Sequence, residues 1–178
     1  MRSLPKAIVP LLFVASRLFG AEVSLAGDGW EALRLPVRPF ELKSLDSRPL
    51  STAQLAGKIV VIDFWASWCQ PCLKELPELA AYHRRLEART DVVLLSLNVG
   101  EDRATVEAFL KTSPTGLPVY CGDALVEPLE LAAFPTKVVL DLRQPAADGA
   151  GVVRFRREGL TSVASIEARV AELLAERP

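Results

Sequence analysis

The sequence predicts an α/β layered fold, a central mixed β-sheet flanked by helices. Three observations predict it. Continuous apolar, β-branched runs such as "KIVVIDFWA" read as strands buried on both faces of a parallel sheet. These runs alternate with segments of helical period, the order of a layered α/β domain. Late in the chain, "FPTKVVLDL" and "VVRFRREG" are joined by a short loop, which argues for an antiparallel edge.

With 178 residues, 50% hydrophobic and 24% charged, the chain suits one domain around a single core. The formal net charge is −1, and Lys and Arg are scattered without basic tracts. No nucleic-acid partner is expected, because phosphate contacts need clustered cations. Three cysteines are too few for a scaffold stapled by disulfides.

In "MRSLPKAIVPLLFVAS", Arg2 and Lys6 precede an apolar stretch from Ala7 to Ala15, the charge-then-apolar order of a secretory signal peptide. The stretch is far shorter than the roughly 20 residues that span a bilayer. Val14-Ala15-Ser16 and Ser24-Leu25-Ala26 are both cleavage candidates, and a disordered or amphipathic N-terminus is the other reading. With Cys69 as the first cysteine, a lipid-anchored lipoprotein start is not expected. Residues 1–26 are therefore taken as signal peptide and flexible lead-in, residues 27–37 as a linker, and residues 38–178 as the domain. The linker reading rests on "EVSLAGDGWEALRLPV", which shows no sustained period.

From "PFELKSL" the pattern tightens into a short strand, a turn at "DSRP" and a short helical stretch "STAQLAG" that begins on a Ser or Thr cap. "KIVVIDFWA" follows as a central strand. "CLKELPELAAYHRRLEAR" places Leu73, Leu76, Leu79 and Ala80 at helical spacing, with Arg84, Arg85 and Arg89 toward the end where cations suit the helix dipole. "DVVLLSLNV" is a second buried strand, "RATVEAFLKTS" a helix, "LPVYC" a short strand, and "ALVEPLELAA" a helical stretch interrupted by Pro128. "SVASIEARVAELLAE" closes the chain as an amphipathic helix capped by Thr161 or Ser162.

The chemistry gathers at "WASWCQPCLKELP", where Cys69 and Cys72 stand two residues apart directly after the central strand and at the mouth of a helix. Unpaired N–H groups and the positive end of the helix dipole there stabilise a thiolate, so the pKa of Cys69 is expected to fall. Cys72 lies at i+3 on the same face, within reach of that sulfur. Pro71 is tolerated because first-turn N–H groups have no intrahelical partner. A disulfide closing so small a ring removes little chain entropy, which weakens a purely structural role. A structural zinc would need four ligands, and the chain offers only Cys121 and His83 besides the pair. His83 reads as a helix-surface residue.

Reversible thiol-disulfide exchange remains: an exposed Cys69 attacks a partner disulfide and Cys72 resolves the mixed disulfide. Cys72, being buried, is expected to have a high pKa and to need a proton acceptor. Asp63 inside "IVVIDFW" and Glu75 one turn after Cys72 are the candidates. A charge buried in an apolar strand is costly without a role or a partner, and its pKa is expected to rise. Each acid also has a plain reading, Asp63 as a satisfied structural acid and Glu75 as a solvated helix residue.

"FWASWCQPC" resembles the active-site segment of the thioredoxin superfamily. The longer "PFELKSLDSRPLSTAQLAGKIVVIDFWASWCQPCLKELPEL" resembles the TlpA/ResA-like branch of exported thiol-disulfide oxidoreductases, with the likeness extending over about residues 38–176. The resemblance implies a thioredoxin-like fold with an N-terminal β-hairpin, a central helix-strand insertion near residues 103–120, and Pro77 kinking the active-site helix. It implies that Cys69 and Cys72 form a redox-active disulfide and that Pro135 is a cis-proline facing it. The Phe134 backbone would then pair with a bound substrate strand, and Trp68, Pro71, Phe134 and Pro135 would contact substrate.

Glu75 matches a glutamate that ResA-like proteins carry near the dithiol. The chain departs from the pattern in holding Asp63 as well, in the bulky Phe134, and in Ser47 and the loop "RQPAADGAG" where glycine turns are usual. Cys121 matches no catalytic position and is expected to be a small buried residue of the inserted strand.

The resemblance also implies the partners. They are disulfide-containing exported proteins, with apocytochrome c or a copper-site protein as candidates, and a membrane dithiol donor of electrons. It implies a monomer, a periplasmic location or one on the outer face of the cytoplasmic membrane, and no cofactor. A thiol peroxidase of the peroxiredoxin type is the alternative enzyme. It wants Thr or Ser three residues before the cysteine and a proline upstream, whereas Ala66 stands there and no proline lies between Pro49 and Pro71. A copper or haem chaperone using the two thiols as soft ligands is the non-enzyme alternative, and it lacks a nearby methionine. The direction of electron flow depends on a potential that residue types do not give.

Overall fold

The computed structural model describes residues 24–25, 28–144 and 149–176. Most of the proposed signal segment, and the centre of the "RQPAADGAG" loop, lie outside the described residues. A seven-stranded mixed sheet forms the middle of the domain. In chain order its strands are β1 (Ser24–Leu25), β2 (Glu31–Val37), β5 (Ile59–Trp65), β6 (Val92–Asn98), β7 (Val119–Cys121), β8 (Thr136–Asp141) and β9 (Gly151–Glu158). A separate hairpin of β3 (Glu41–Lys43) and β4 (Pro49–Ser51) precedes β5. The spatial order is β1-β2-β9-β8-β5-β6-β7. β5, β6 and β7 run parallel, while β8, β9 and β2 add antiparallel neighbours.

β5 is the central strand expected from its unbroken apolar run, and every one of its residues is buried. Alternation sends Val61, Asp63 and Trp65 to one face and Val60, Ile62 and Phe64 to the other. The first face is covered by α1 (Gln70–Leu86), α2 (Arg103–Thr112) and α4 (Val163–Ala175), through Leu76, Leu79, Val106, Ile166 and Val170. The opposite face packs under Leu42 of the hairpin, Leu55 of the short 3-10 turn Thr52–Leu55, and Leu125 of the one-turn α3 (Asp123–Val126). α2 and β7 are the central insertion expected near residues 103–120.

Side chains cap the starts of α2 and α4, the latter at Ser162 as expected. The side chains of Asp102 and Ser162 accept from Thr105 and Ser165 N–H at the starts of α2 and α4. The turn at "DSRP" closes with Ser47 at φ 62°, a left-handed conformation that glycine would adopt at less cost. No helix among the described residues is long and apolar enough to cross a membrane.

Three expectations are corrected. Residues 31–37 are not a linker: β2 pairs antiparallel with β9 inside the main sheet. Its register shifts between Ala32 and Leu35, and this irregularity breaks the alternation that would have revealed a strand. The helical stretch after Gly122 stops at Val126: Glu127 still has helical dihedrals, but Pro128 has no N–H with which to continue the ladder. Cys121 is exposed instead of buried, since it ends a three-residue strand at the outer edge of the sheet.

Trp30 shows how firmly the segment before β2 belongs to the domain. It is fully buried on the α1/α4 face, its Nε1 donates to Ser165 Oγ at 2.9 Å, and its ring meets Phe155 edge-on at 6.4 Å between centroids. Trp30→Ala is expected to lose about 3–5 kcal/mol of stability in denaturant unfolding. A cost below about 0.5 kcal/mol is what a linker residue would give.

Candidate active site

The chain leaves β5 at Trp65, turns through Ala66–Trp68 and enters α1 with Cys69 as N-cap. Cys69 Sγ accepts from the Cys72 N–H at 3.3 Å, and Pro71 occupies the first helical turn as expected. Cys69 and Cys72 are joined in a disulfide with Cα atoms 5.3 Å apart. Cys69, expected to be exposed, is 4% accessible and Cys72 2%, because in the disulfide form both sulfurs pack into the cluster beneath α1. The exposed group is Trp68, 64% accessible, its ring 6.4 Å from that of Phe134.

The turn ahead of Cys69 is tied down by Glu101, a residue that the sequence reading did not single out. The Glu101 carboxylate accepts from the Ser67 N–H at 2.6 Å, from Ser67 Oγ, and from Asn98 Nδ2 at 2.8 Å. Burial opposes ionisation of Glu101, but the hydrogen bonds from Asn98 and Ser67 outweigh it and hold the carboxyl below its ordinary pKa. The signal available in advance was the first of two adjacent acids, Glu101 and Asp102, at the polar end of "LLSLNVGED".

The Phe134–Pro135 bond is cis, and the Pro135 carbonyl accepts from Gly159 N–H at 2.8 Å. Two residues on, Lys137 lies in β8 directly opposite Asp63 of β5. Both side chains point to the α1/α4 face, as the positions of Val61 and Val139 in that cluster indicate.

Lys137 is wholly buried, with Nζ 2.9 Å from Asp63 Oδ1 and donating to Glu75 Oε2. The second Glu75 oxygen accepts from the Thr161 N–H. Asp63 Oδ1, close as it is to the ammonium, lies off the hydrogen-bonding direction and has no hydrogen-bond partner among the described residues. Glu75 is thus no solvated helix residue. Its carboxyl is raised above the ordinary value, chiefly by burial, with the Asp63 charge adding to the effect and Lys137 and Thr161 opposing it.

The structure therefore brings Cys69, Cys72, Glu75 and Asp63 to one end of the sheet. Trp68, Phe134 and Pro135 form the rim, and Pro71 sits within the first turn. Lys137 was missed, although a lysine placed two positions after "FP" in an otherwise apolar strand would have pointed to it.

The AhpC/TSA family profile matches residues 34–162. The chain belongs to the AhpC/TSA family. Within this AhpC/TSA protein a stretch of 104 residues is 27% identical to the thiol-disulfide oxidoreductase ResA of Bacillus subtilis, covering 57% of this chain and 58% of that one. The chain thus spans just under three fifths of that relative's length.

Among solved structures, it is similar to a thiol:disulfide interchange protein of the thioredoxin family from Chlorobium tepidum, with a TM-score of 0.65 and 25% identity over 80% of this chain and 97% of that one. It is also similar to the exposed lipoprotein thioredoxin Etrx1 of Streptococcus pneumoniae, with a TM-score of 0.64 and 26% identity over 75% and 98%. These neighbours place the AhpC/TSA chain in the thioredoxin-like fold.

The raised pKa of Glu75 sets a sign for stability. A carboxyl whose folded pKa exceeds its unfolded value of about 4.5 contributes fully below that pH, and its contribution falls as the pH rises through the folded value. Unfolding midpoints measured against pH are expected to decline through this window in the wild type. In Glu75→Gln that decline should flatten, and an unchanged slope would contradict the assignment.

Proposed function

We propose that this protein is an exported thiol-disulfide oxidoreductase that reduces disulfides in other exported proteins. The observation that carries the reading is the Cys69–Cys72 pair closed at the N-terminus of α1, the helix that also carries the buried Glu75, with Phe134 of the cis-proline loop meeting the neighbouring Trp68. In the reduced protein, Cys69 is the nucleophile. Its thiolate is favoured by the helix N-terminus, and the Cys72 N–H that points at its sulfur adds a donor.

The Cys69 thiolate attacks one sulfur of a substrate disulfide, forming a mixed disulfide and releasing the first substrate thiolate. Cys72 gives its proton to a buried carboxylate, Glu75 or Asp63, and attacks Cys69 Sγ. The second substrate thiolate leaves, the substrate has gained two electrons, and the protein holds the disulfide seen here. A membrane dithiol donor would return the two electrons.

Trp68 and Phe134 offer an apolar rim for the substrate chain, and the backbone at Phe134 offers a strand edge with which an extended segment can pair. Apocytochrome c and copper-site proteins are the candidate substrates. The N-terminal charge-then-apolar order, and similarity to an exposed lipoprotein thioredoxin, support an extracytoplasmic location.

Turnover of a model protein disulfide separates the two cysteines. Cys69→Ser is expected to abolish reduction, while Cys72→Ser accumulates a mixed disulfide with substrate that is visible as a mass increase. Hydrogen peroxide should not be consumed. If Cys69→Ser kept its activity and Cys72→Ser lost it, the roles would be reversed, and peroxide turnover would replace the reading with a peroxidase.

A further inference from the structure

We infer that Lys137 is a positioning residue for the proton transfer from Cys72, holding Asp63 and Glu75 as one acid cluster that can accept that proton. This inference rests on the dithiol-exchange reading. The geometry is a single ammonium, wholly buried, shared by two carboxylates that arrive from different elements, Asp63 across the β5–β8 ladder and Glu75 from α1.

A buried lysine is a costly choice for packing alone, since apolar residues of similar volume often replace buried ion groups without loss. Its neighbours in β8, Val138 and Val139, show that the strand can fill this depth with hydrocarbon. The charge count explains its presence. One cation beside two ionised carboxylates leaves one excess negative charge, so the cluster has room for one proton. Without the cation, two buried carboxylates would repel each other and one would stay protonated well above the usual range, so that a single carboxylate remains as acceptor where the cation keeps two available.

Other charged groups around Lys137 are engaged elsewhere. Arg157, its register partner on β9, directs its guanidinium to Thr161 Oγ1 at 2.9 Å and to the Asp28 carbonyl. On α1, Glu78 accepts from Val163 N–H at 3.2 Å. From α4, Glu167 pairs with Arg85 at 2.7 Å, and Arg169 with Glu172 at 2.7 Å and Asp28 at 3.8 Å. The charged groups left facing one another at this place are therefore Asp63, Glu75 and Lys137.

In the reaction, the Cys72 S–H bond breaks and its proton goes to a carboxylate oxygen of Glu75 or Asp63. The Cys72 electron pair forms the bond to Cys69 Sγ, and the partner sulfur leaves with its own pair. Lys137 forms and breaks no bond in this step. It sets how much of the cluster is unprotonated when the step occurs.

The test is stopped-flow reaction of the reduced full chain with dithiobis-nitrobenzoate, in a Cys121→Ser background because that exposed thiol would also react. Attack by Cys69 releases the first coloured thiolate and resolution by Cys72 the second. In Lys137→Met the second phase is expected to slow about tenfold against the first near neutral pH, and its inflection should move up by about one pH unit. Lys137→Arg, which keeps the cation, should return the inflection toward the wild type. A folded Lys137→Met protein whose second-phase profile superimposes on the wild type would overturn the inference.

If Lys137→Met does not fold, the pair Asp63→Asn and Asp63→Asn with Lys137→Met decides the matter, because Glu75 then stands alone with or without the cation. An upward displacement of the inflection in the double variant supports the role, and coincidence of the two profiles overturns it. A wild type that releases only one coloured thiolate contradicts the exchange reading itself and the inference with it. Two released thiolates with an unmoved Lys137→Met profile contradict the role of Lys137 alone.

Discussion

β5 is buried along its whole length, and the seating of everything at the reactive end follows from that burial. Because β6 and β8 pair with it on either side and helices or the hairpin cover both faces, its last residue, Trp65, has one fixed position. The Trp65 indole donates to Ser96 Oγ at 2.8 Å in the interior, and the Trp65 carbonyl accepts from Val99 N–H at 3.0 Å. The disulfide-bearing turn begins one residue later. Glu101 grips that turn from the β6 side, so the entry into α1 is held at both ends before any substrate arrives.

The same strand carries the most expensive feature of the domain, a carboxylate in its apolar interior. Asp63 is tolerated because Lys137 stands opposite it, and Lys137 because Glu75 descends from α1 to meet it. Removing one partner from such a set typically costs about 3–5 kcal/mol, since the others are left uncompensated. Stability and chemistry are therefore coupled here. The excess negative charge that makes the cluster a proton acceptor also disfavours a second thiolate above it, which favours the closed disulfide and so biases the pair toward donating electrons.

How much of this is legible without coordinates varies with the kind of signal. β5, α1 and the cysteine pair were readable because each rests on local pattern: an unbroken apolar run, a helical period, a motif at a helix start. β2 was hidden because its alternation is broken by a register shift and by Pro36, so that Leu33 and Val37 do not stand out as one buried face. Lys137 and Glu101 were hidden for another reason. Each acts on residues distant in sequence, 62 and 74 positions in the case of Lys137 and 34 in that of Glu101. Cys121 went the other way, since a free thiol in an apolar segment reads as core unless the strand is known to end at the sheet edge.

Equilibration of the Cys69/Cys72 couple with glutathione buffers of known ratio, read by thiol trapping and mass, tests the donor role most directly. A midpoint at or below about −230 mV is expected, toward the range of couples that pass electrons to other disulfides. A midpoint near about −120 mV, where the reduced form is strongly stabilised, would contradict the donor role and make the protein an oxidant of its partners.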